Sequence, residues 1–153
     1  MIDIDYIVVK TLLKSGKSLK IGEIKQMLDN DPFLSHLDVF HKTGISHSTL
    51  GSCIKRLKNQ GYVEYKPYHE VLLTKSGFEL AKELNRHNRL LELLLFNELG
   101  LNPEDAHNES EKFNLLFSCN TINKICVKYS HPKMCPCGEE ISNSSDCFCQ
   151  GKI

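Results

Sequence analysis

Apolar residues recur every three or four positions through most of the chain, which predicts a largely helical protein. The first segment, IDYIVVKTLLKSG, follows this pattern and stops at Gly16, and a second short helix is predicted over SLKIGEIKQMLDN. A third helix is predicted from Ser46, a good N-cap residue, to Gly61. The following YVEYKPYHEVLLT predicts two short strands joined around Pro67. This order of elements is typical of a winged helix-turn-helix.

The second half continues with helical patterns only. A long helix, KSGFELAKELNRHNRLLELLLFNELG, is predicted to end at Gly100, a further helix to begin near Pro103, and a last one to follow Ser118. Such a helical extension commonly forms a dimerisation domain. We therefore predict a mainly α fold with a small β-hairpin: a winged helix-turn-helix DNA-binding domain in residues 1–75, a helical dimerisation domain in 76–130, and a Cys-rich metal-binding tail in 131–153.

The third helix has the composition of a DNA recognition helix. An apolar stripe faces the protein, and short polar side chains with a few cations occupy the other positions. The stripe is Leu50, Cys53, Ile54 and Leu57; the DNA-binding candidates are His47, Ser48, Thr49, Ser52, Lys55, Arg56, Lys58 and, in the wing, Lys66. The alternative is an ordinary solvated amphipathic helix. Because the chain has 19 basic and 19 acidic residues, affinity for DNA would depend on local placement of charge and on two copies per site.

Four of the chain's seven cysteines lie in the last twenty residues. They form two Cys-x-Cys pairs, Cys135 with Cys137 and Cys147 with Cys149, separated by GEEISNSSD. Four thiolates can hold a tetrahedral zinc ion or an iron–sulfur cluster. Three alternatives stay open: a structural zinc tail, a regulatory iron or iron–sulfur site, and reduced or redox-paired thiols.

Nothing in the sequence predicts a membrane segment. The longest apolar run, LLELLLF, is far shorter than the roughly 18 residues of a membrane span, and the N-terminus MIDIDYIVVK lacks the basic start of a signal peptide. We therefore expect a cytoplasmic protein. Clustered cysteines in a reducing compartment bind metals more often than they form disulfides.

Four stretches resemble the diphtheria-toxin-repressor (DtxR/MntR) family of iron- and manganese-dependent repressors. They are GISHSTLGSCIKRLKNQGYVEYKPYHEVLLTKSG, ELNRHNRLLELLLFNELGL, DAHNESEKF and HPKMCPCGEEI. The resemblance covers residues 3–141 and is most specific at the wing and at HPKMCPCG. It implies a homodimeric, metal-responsive transcription factor that binds a palindromic operator in double-stranded DNA.

The chain departs from the family's pattern in its metal ligands and in an insertion at residues 29–43. Where the family's helix motif RHRLLE has a ligand His, this chain has Asn88, although Glu92 remains. His107 also remains, with Glu111 at the next family position, whereas Leu115 replaces a His and cannot bind a metal. Among the N-terminal family positions only Asp5 could be a ligand. The resemblance thus leaves two alternatives for Glu92, His107 and Glu111: a reduced, weak divalent-metal site, or a solvated or hydrogen-bonded remnant of the family's site.

The leading hypothesis is a dimeric DNA-binding regulator that responds to iron, an iron–sulfur cluster or redox state through Cys135, Cys137, Cys147 and Cys149. The alternatives are a DNA-binding regulator with a purely structural zinc tail and a protein–protein adaptor that uses the winged helix as a contact surface. An enzyme is not expected, because the sequence shows no Ser/His/Asp order, no phosphate-binding loop and no catalytic pair of acids.

Overall fold

The computed structural model describes residues 3–32, 34, 44–113 and 117–144. These residues form six helices and a two-stranded antiparallel sheet: α1 (Asp3–Ser15), α2 (Ile21–Asp29), α3 (His47–Asn59), β1 (Val63–Glu64), β2 (Leu72–Leu73), α4 (Lys75–Leu99), α5 (Pro103–Glu111) and α6 (Cys119–Lys128). The mainly α fold with a small β-hairpin is confirmed. Most of the insertion predicted at 29–43 lies outside the described residues.

The chain divides into two compact units, Met1–Ala81 and Lys82–Ile153, with the boundary inside α4. Within the described residues, no helix combines the length and the apolarity that a bilayer crossing requires. Each unit has its own buried core.

The first unit is a winged helix-turn-helix whose third helix begins and ends as the sequence predicts. The Ser46 hydroxyl accepts a 3.0 Å hydrogen bond from the backbone N–H of Thr49, which satisfies one of the unpaired donors at the start of α3. Gly61 follows the helix with φ +79°, a conformation that residues with a Cβ rarely adopt. The apolar stripe of α3 is fully buried, as predicted: Leu50, Cys53, Ile54 and Leu57.

The wing is short and is held at both ends. Val63 pairs with Leu73 and Glu64 with Leu72, and an isolated bridge joins Leu19 to Val71. The start of α4 packs tightly against Tyr62, the residue before β1. A Cβ placed on Gly77 would lie only 1.9 Å from the backbone oxygen of Tyr62.

A buried ion pair ties α1 to α3 in the first unit. Arg56 donates through Nη2 to Asp5 Oδ1 at 2.7 Å and through Nε to Asp5 Oδ2 at 3.2 Å. The Asp5 side chain is fully buried, whereas that of Arg56 is 39% exposed. The pKa of Arg56 is raised, chiefly by this hydrogen bond to Asp5. The pair therefore neutralises a carboxylate that burial alone would destabilise.

The second unit builds its core from α4, α6 and the segment after α6. The buried cluster comprises Leu90, Leu91, Ile122, Ile125, Cys126, Cys135 and Ile141. Two of these, Cys135 and Ile141, come from the region that the sequence assigned to a tail. Residues 131–144 are therefore an integral part of this unit, and the first Cys-x-Cys pair lies against its helices.

A tight turn presents that first pair. The Gly138 N–H donates to the Cys135 carbonyl at 3.0 Å, and the Cys135 N–H donates to the Glu139 carbonyl at 2.9 Å. An isolated bridge between Met134 and Glu140 closes the turn. Gly138 has φ +91°, where a side chain would be strained. The sequence CPCG thus places two thiols on one hydrogen-bonded turn.

Candidate metal centre

Glu92 is the central residue of the candidate site. It lies on α4, and its carboxylate is almost completely buried, with a 1% exposed side chain. Its two oxygens have different partners: Oε1 accepts a 2.8 Å hydrogen bond from the Cys137 backbone N–H, whereas Oε2 lies 3.3 Å from His107 Nδ1. A buried carboxylate requires such partners, because its lone pairs cannot reach water.

His107 on α5 and Cys137 on the turn complete a compact group around Glu92. The Cys137 Sγ lies 3.4 Å from Glu92 Oε2 and 3.7 Å from His107 Nδ1. One ligand atom from each of the three residues lies within 4.8 Å of the others. Carboxylate, imidazole and thiolate are all ligands of zinc and related divalent ions.

Cys135 places a second thiol next to Cys137, although it is not one of the three grouped residues. Its Sγ lies 3.0 Å from Cys137 Sγ, and the Glu139 backbone N–H donates to it at 3.3 Å. Cys135 is buried, whereas Cys137 is exposed. The turn thus offers one shielded thiol and one accessible thiol beside Glu92.

The distances fit a bound ion as well as a hydrogen-bonded group. Tetrahedral ligands at the usual zinc distances are separated from one another by about 3.4 Å for nitrogen and oxygen and by about 3.6 Å where sulfur is one partner. Around Glu92 the corresponding separations are 3.3 Å to His107 and 3.4 Å to Cys137. The 3.0 Å between the two sulfurs is shorter than a shared ion requires, so Cys135 would have to move outward slightly. The residues present therefore suit a divalent ion.

In the metal-free protein, burial and hydrogen bonding shift the pKa values of Glu92 and Cys137 in opposite directions. Burial disfavours the charged form of Glu92, but hydrogen bonds from His107 and Cys137 outweigh it and hold the pKa of this carboxyl below its usual value. Burial, together with hydrogen bonding to Cys135 and Glu92, raises the pKa of Cys137 to about 12. Glu92 is thus the anion and Cys137 a protonated thiol, whose proton a metal ion would displace.

The residues of the predicted reduced site are only partly brought together. Glu92 and His107 adjoin, but the third member of their group is Cys137, and Glu111 at the end of α5 is not among the grouped residues. Asn88 donates from Nδ2 to the Ser110 carbonyl at 2.6 Å and so links α4 to α5. Glu111 as a ligand stays a prediction.

Of the other candidate ligands, the structure describes only Asp5. Asp5, the one possible N-terminal ligand, binds Arg56 instead. Cys147 and Cys149 lie outside the described residues, as does Leu115. The four-thiol site therefore stays a prediction, of which the structure describes only the first pair.

The DNA-binding candidates lie mainly on the surface of the first unit. All but Arg56 are exposed: His47, Ser48, Thr49, Ser52, Lys55, Lys58 and Lys66. Arg56 is half-buried and has two of its nitrogens on Asp5, so its guanidinium also serves the fold. Its phosphate contact stays a prediction.

Sequence reasoning missed two features of this centre. It treated the thiols and the Glu92/His107 pair as separate sites, and it assigned no role to Arg89. Arg89 donates to the Glu140 carbonyl and, at 2.7 Å, to Glu139 Oε2, and so holds the turn against α4. In the sequence, only the position of Arg89 one helical turn before Glu92 could have indicated this role. Its partner Glu139 lies 50 residues away and could not be predicted.

The residues of this centre lie within a stretch of the chain that matches a known protein family. Residues 74–143 match the family model "Iron dependent repressor, metal binding and dimerisation domain". The chain is 29% identical over 99 residues to the transcriptional regulator MntR of Salmonella typhimurium, covering 65% of this chain and 56% of that protein. It thus spans a little over half the length of this curated relative.

Solved structures show the same architecture. A manganese-dependent transcriptional repressor in complex with manganese has a TM-score of 0.71 and 25% identity, over 92% of this chain and 59% of that one. A hypothetical protein from Sulfolobus solfataricus has a TM-score of 0.69 and 25% identity, over 91% of this chain and 95% of that one. The predicted winged helix-turn-helix followed by a helical domain is confirmed by these neighbours.

Proposed function

We propose that the chain is a member of the DtxR/MntR family of metal-dependent repressors. It is then a dimeric, operator-binding regulator whose metal is held by Glu92, His107, Cys137 and Cys135. The observation that carries this proposal is the convergence of carboxylate, imidazole and thiol within 4.8 Å. When bound, the metal supplies a positive centre that joins α4, α5 and the turn 134–140.

The donor set favours a thiophilic ion. Two sulfurs, one nitrogen and one oxygen suit zinc or ferrous iron, whereas manganese prefers carboxylate, carbonyl and water ligands. The solved neighbour is a manganese-dependent repressor. In the site proposed here, sulfur contributes half of the donors, a set that does not match the ligand preference of manganese. We therefore propose iron or zinc as the natural metal.

An iron–sulfur cluster is the finer alternative suggested by the sequence. Such clusters are usually held by four thiolates. Cys135 and Cys137 supply two, so a cluster would need Cys147 and Cys149 in place of Glu92 and His107. The optical spectrum separates these options, since a cluster absorbs visible light strongly and a zinc site does not.

DNA binding is proposed from the first unit. The exposed side of α3 presents short polar residues at its N-terminal end and Lys55 and Lys58 farther along, an arrangement suited to a major groove. Two copies per operator would compensate for the near-neutral charge, and a two-fold dimer implies a palindromic site. The second unit keeps large apolar side chains exposed, as expected of a surface that a second copy covers: Phe96, Leu99 and Val127.

Metal binding is tested on anaerobically purified protein by elemental analysis and an optical spectrum. We expect tightly bound zinc or iron without cluster bands. Glu92→Gln and Cys137→Ser should lose this metal, whereas Glu104→Gln, an exposed acid in the first turn of α5 that is not a candidate ligand, should retain it. A brown protein with sulfide would contradict the proposed ligand set and support the cluster.

Regulation is tested by fluorescence anisotropy with DNA from the protein's own upstream region. We expect chelation, and Cys137→Ser, to weaken binding, and raising the salt to weaken it further. Lys55→Ala and Lys58→Ala should lower affinity across all sequences; Lys128→Ala in the second unit is the matched control. Affinity unmoved by chelator would indicate the structural zinc alternative. A lack of salt-dependent binding to any DNA would indicate the adaptor.

A further inference from the structure

A second group of metal-binding side chains lies elsewhere in the same unit. Glu83 and His87 lie one turn apart on α4, and Cys119 is the first residue of α6. One ligand atom from each lies within 4.8 Å of the others. None of these residues belongs to the centre around Glu92, and the family resemblance assigns none of them a role.

The three side chains converge on one nitrogen. His87 Nε2 lies 3.3 Å from Glu83 Oε1 and 3.5 Å from Cys119 Sγ. An imidazole nitrogen offers either one hydrogen or one lone pair, so it cannot form two good hydrogen bonds at once. The 3.3 Å between Nε2 and Glu83 Oε1 is also longer than a strong N–H···O hydrogen bond. A hydrogen-bonded network alone therefore explains the arrangement poorly.

The same distances fit ligands that surround an ion. For tetrahedral zinc, nitrogen and oxygen ligands lie about 3.4 Å apart, and nitrogen and sulfur ligands about 3.6 Å apart. The observed 3.3 Å and 3.5 Å agree with both values. Three protein ligands would leave a fourth position for water or an exchanging ligand.

The surroundings hold the carboxylate in place. Arg86 donates to Glu83 Oε1 at 3.2 Å and to Asn123 Oδ1 at 2.8 Å, and Ser144 also hydrogen bonds to Glu83. Because Arg86 and His87 share one carboxylate oxygen, a metal would compete with the guanidinium for it. That competition lowers the affinity of the group for a cation.

The surroundings of the His87 imidazole also predict a low affinity of this group for a cation. The His87 side chain is 1% exposed, and within the described residues its Nδ1 has no hydrogen-bond partner. A metal on Nε2 would leave the hydrogen on this orphaned nitrogen, whereas metal-bound imidazoles usually donate it to a partner. We propose that Glu83, His87 and Cys119 form a second site for a thiophilic divalent cation such as zinc, weaker than the site at Glu92.

The test is a cobalt titration of the metal-free full chain under reducing, anaerobic conditions. Thiolate-to-cobalt charge transfer reports sulfur ligation. Wild type should bind two equivalents, the second more weakly. Cys119→Ser should weaken the second at least about tenfold and remove its charge-transfer contribution. Asn120→Ser, at the neighbouring exposed position, should behave as wild type.

Further variants separate this site from the one at Glu92. Glu92→Gln should weaken the tight equivalent and leave the second, so either site can fail without the other. Because His87 is buried, His87→Asn is interpreted only where circular dichroism and the tight equivalent are unchanged; it should then lose the second. A single equivalent in wild type at saturating cobalt, or two unaltered equivalents in Cys119→Ser, would overturn the proposal.

Discussion

The Cys137 backbone N–H donates a 2.8 Å hydrogen bond to Oε1 of Glu92, while Oε2 of the same carboxylate faces the Cys137 thiol at 3.4 Å. Oε1 therefore holds the turn, and Oε2 faces the other candidate ligand atoms, Cys137 Sγ and His107 Nδ1. Because the holding contact is made by the backbone, the turn can keep its position when the side chain changes. This separates the anchoring of the turn from its metal chemistry.

Arg89 is the second anchor of that turn, through Glu139 and Glu140. We expect Arg89→Ala to weaken metal binding at the Glu92 site about tenfold, since loss of a group that orients ligands commonly costs this much. Competition with a chelating dye measures the affinity. Lys112→Ala is the control, because its 2.6 Å ion pair with Glu109 is exposed and joins two neighbouring positions at the end of α5. Equal affinities of wild type, Arg89→Ala and Lys112→Ala would show that Arg89 is not needed to hold the turn in place for metal binding.

The second Cys-x-Cys pair gives the clearest test between two ligand sets. If Glu92 and His107 complete the site, replacing both Cys147 and Cys149 with Ser should leave the tightly bound metal in place. Elemental analysis after dialysis gives the answer. Loss of the metal in this double variant would instead favour the four-thiol site predicted from the sequence.

The Asp5–Arg56 pair should contribute to stability. Arg56→Met would leave a fully buried carboxylate without its cation, and we expect the free energy of unfolding to fall by about 3 kcal/mol, the lower end for a broken buried pair, because Arg56 is partly exposed. Lys55→Met, on the exposed side of α3, should change it by less than about 0.5 kcal/mol. Urea denaturation measures both. In the Asp5→Asn background the cost of Arg56→Met should shrink, and an undiminished cost would argue against the pairing.

Two glycines should respond to alanine in opposite directions. A Cβ at Gly77 would overlap the Tyr62 carbonyl oxygen at 1.9 Å, and backbone must shift to relieve it. We expect a loss of at least about 2 kcal/mol, as for other severe overpacking. Gly51 lies in α3 with nothing within 4 Å of its added Cβ, so alanine should stabilise by about 0.5–1 kcal/mol. Thermal unfolding compares them, and a tolerated Gly77→Ala would show that this contact is looser than described.

The sequence by itself determined the elements whose signals are local. The cap at Ser46, the buried stripe of α3 and the cap at Ser118, which accepts from the Thr121 N–H at 3.3 Å, all involve residues within a few positions of one another. Helical periodicity and capping chemistry act over that range, and the winged helix-turn-helix followed from them. The motif HPKMCPCG likewise marked the first thiol pair.

Only the tertiary structure decided which of these residues meet. Glu92 and Cys137 are 45 positions apart, and Asp5 and Arg56 are 51 apart. No periodicity spans such distances, because they are closed by the packing of helices and by a turn whose hydrogen bonds form in the folded state. The sequence therefore determined which types of ligand are present. The tertiary structure determined that Cys137 lies beside Glu92 and His107, and that Asp5 pairs with Arg56.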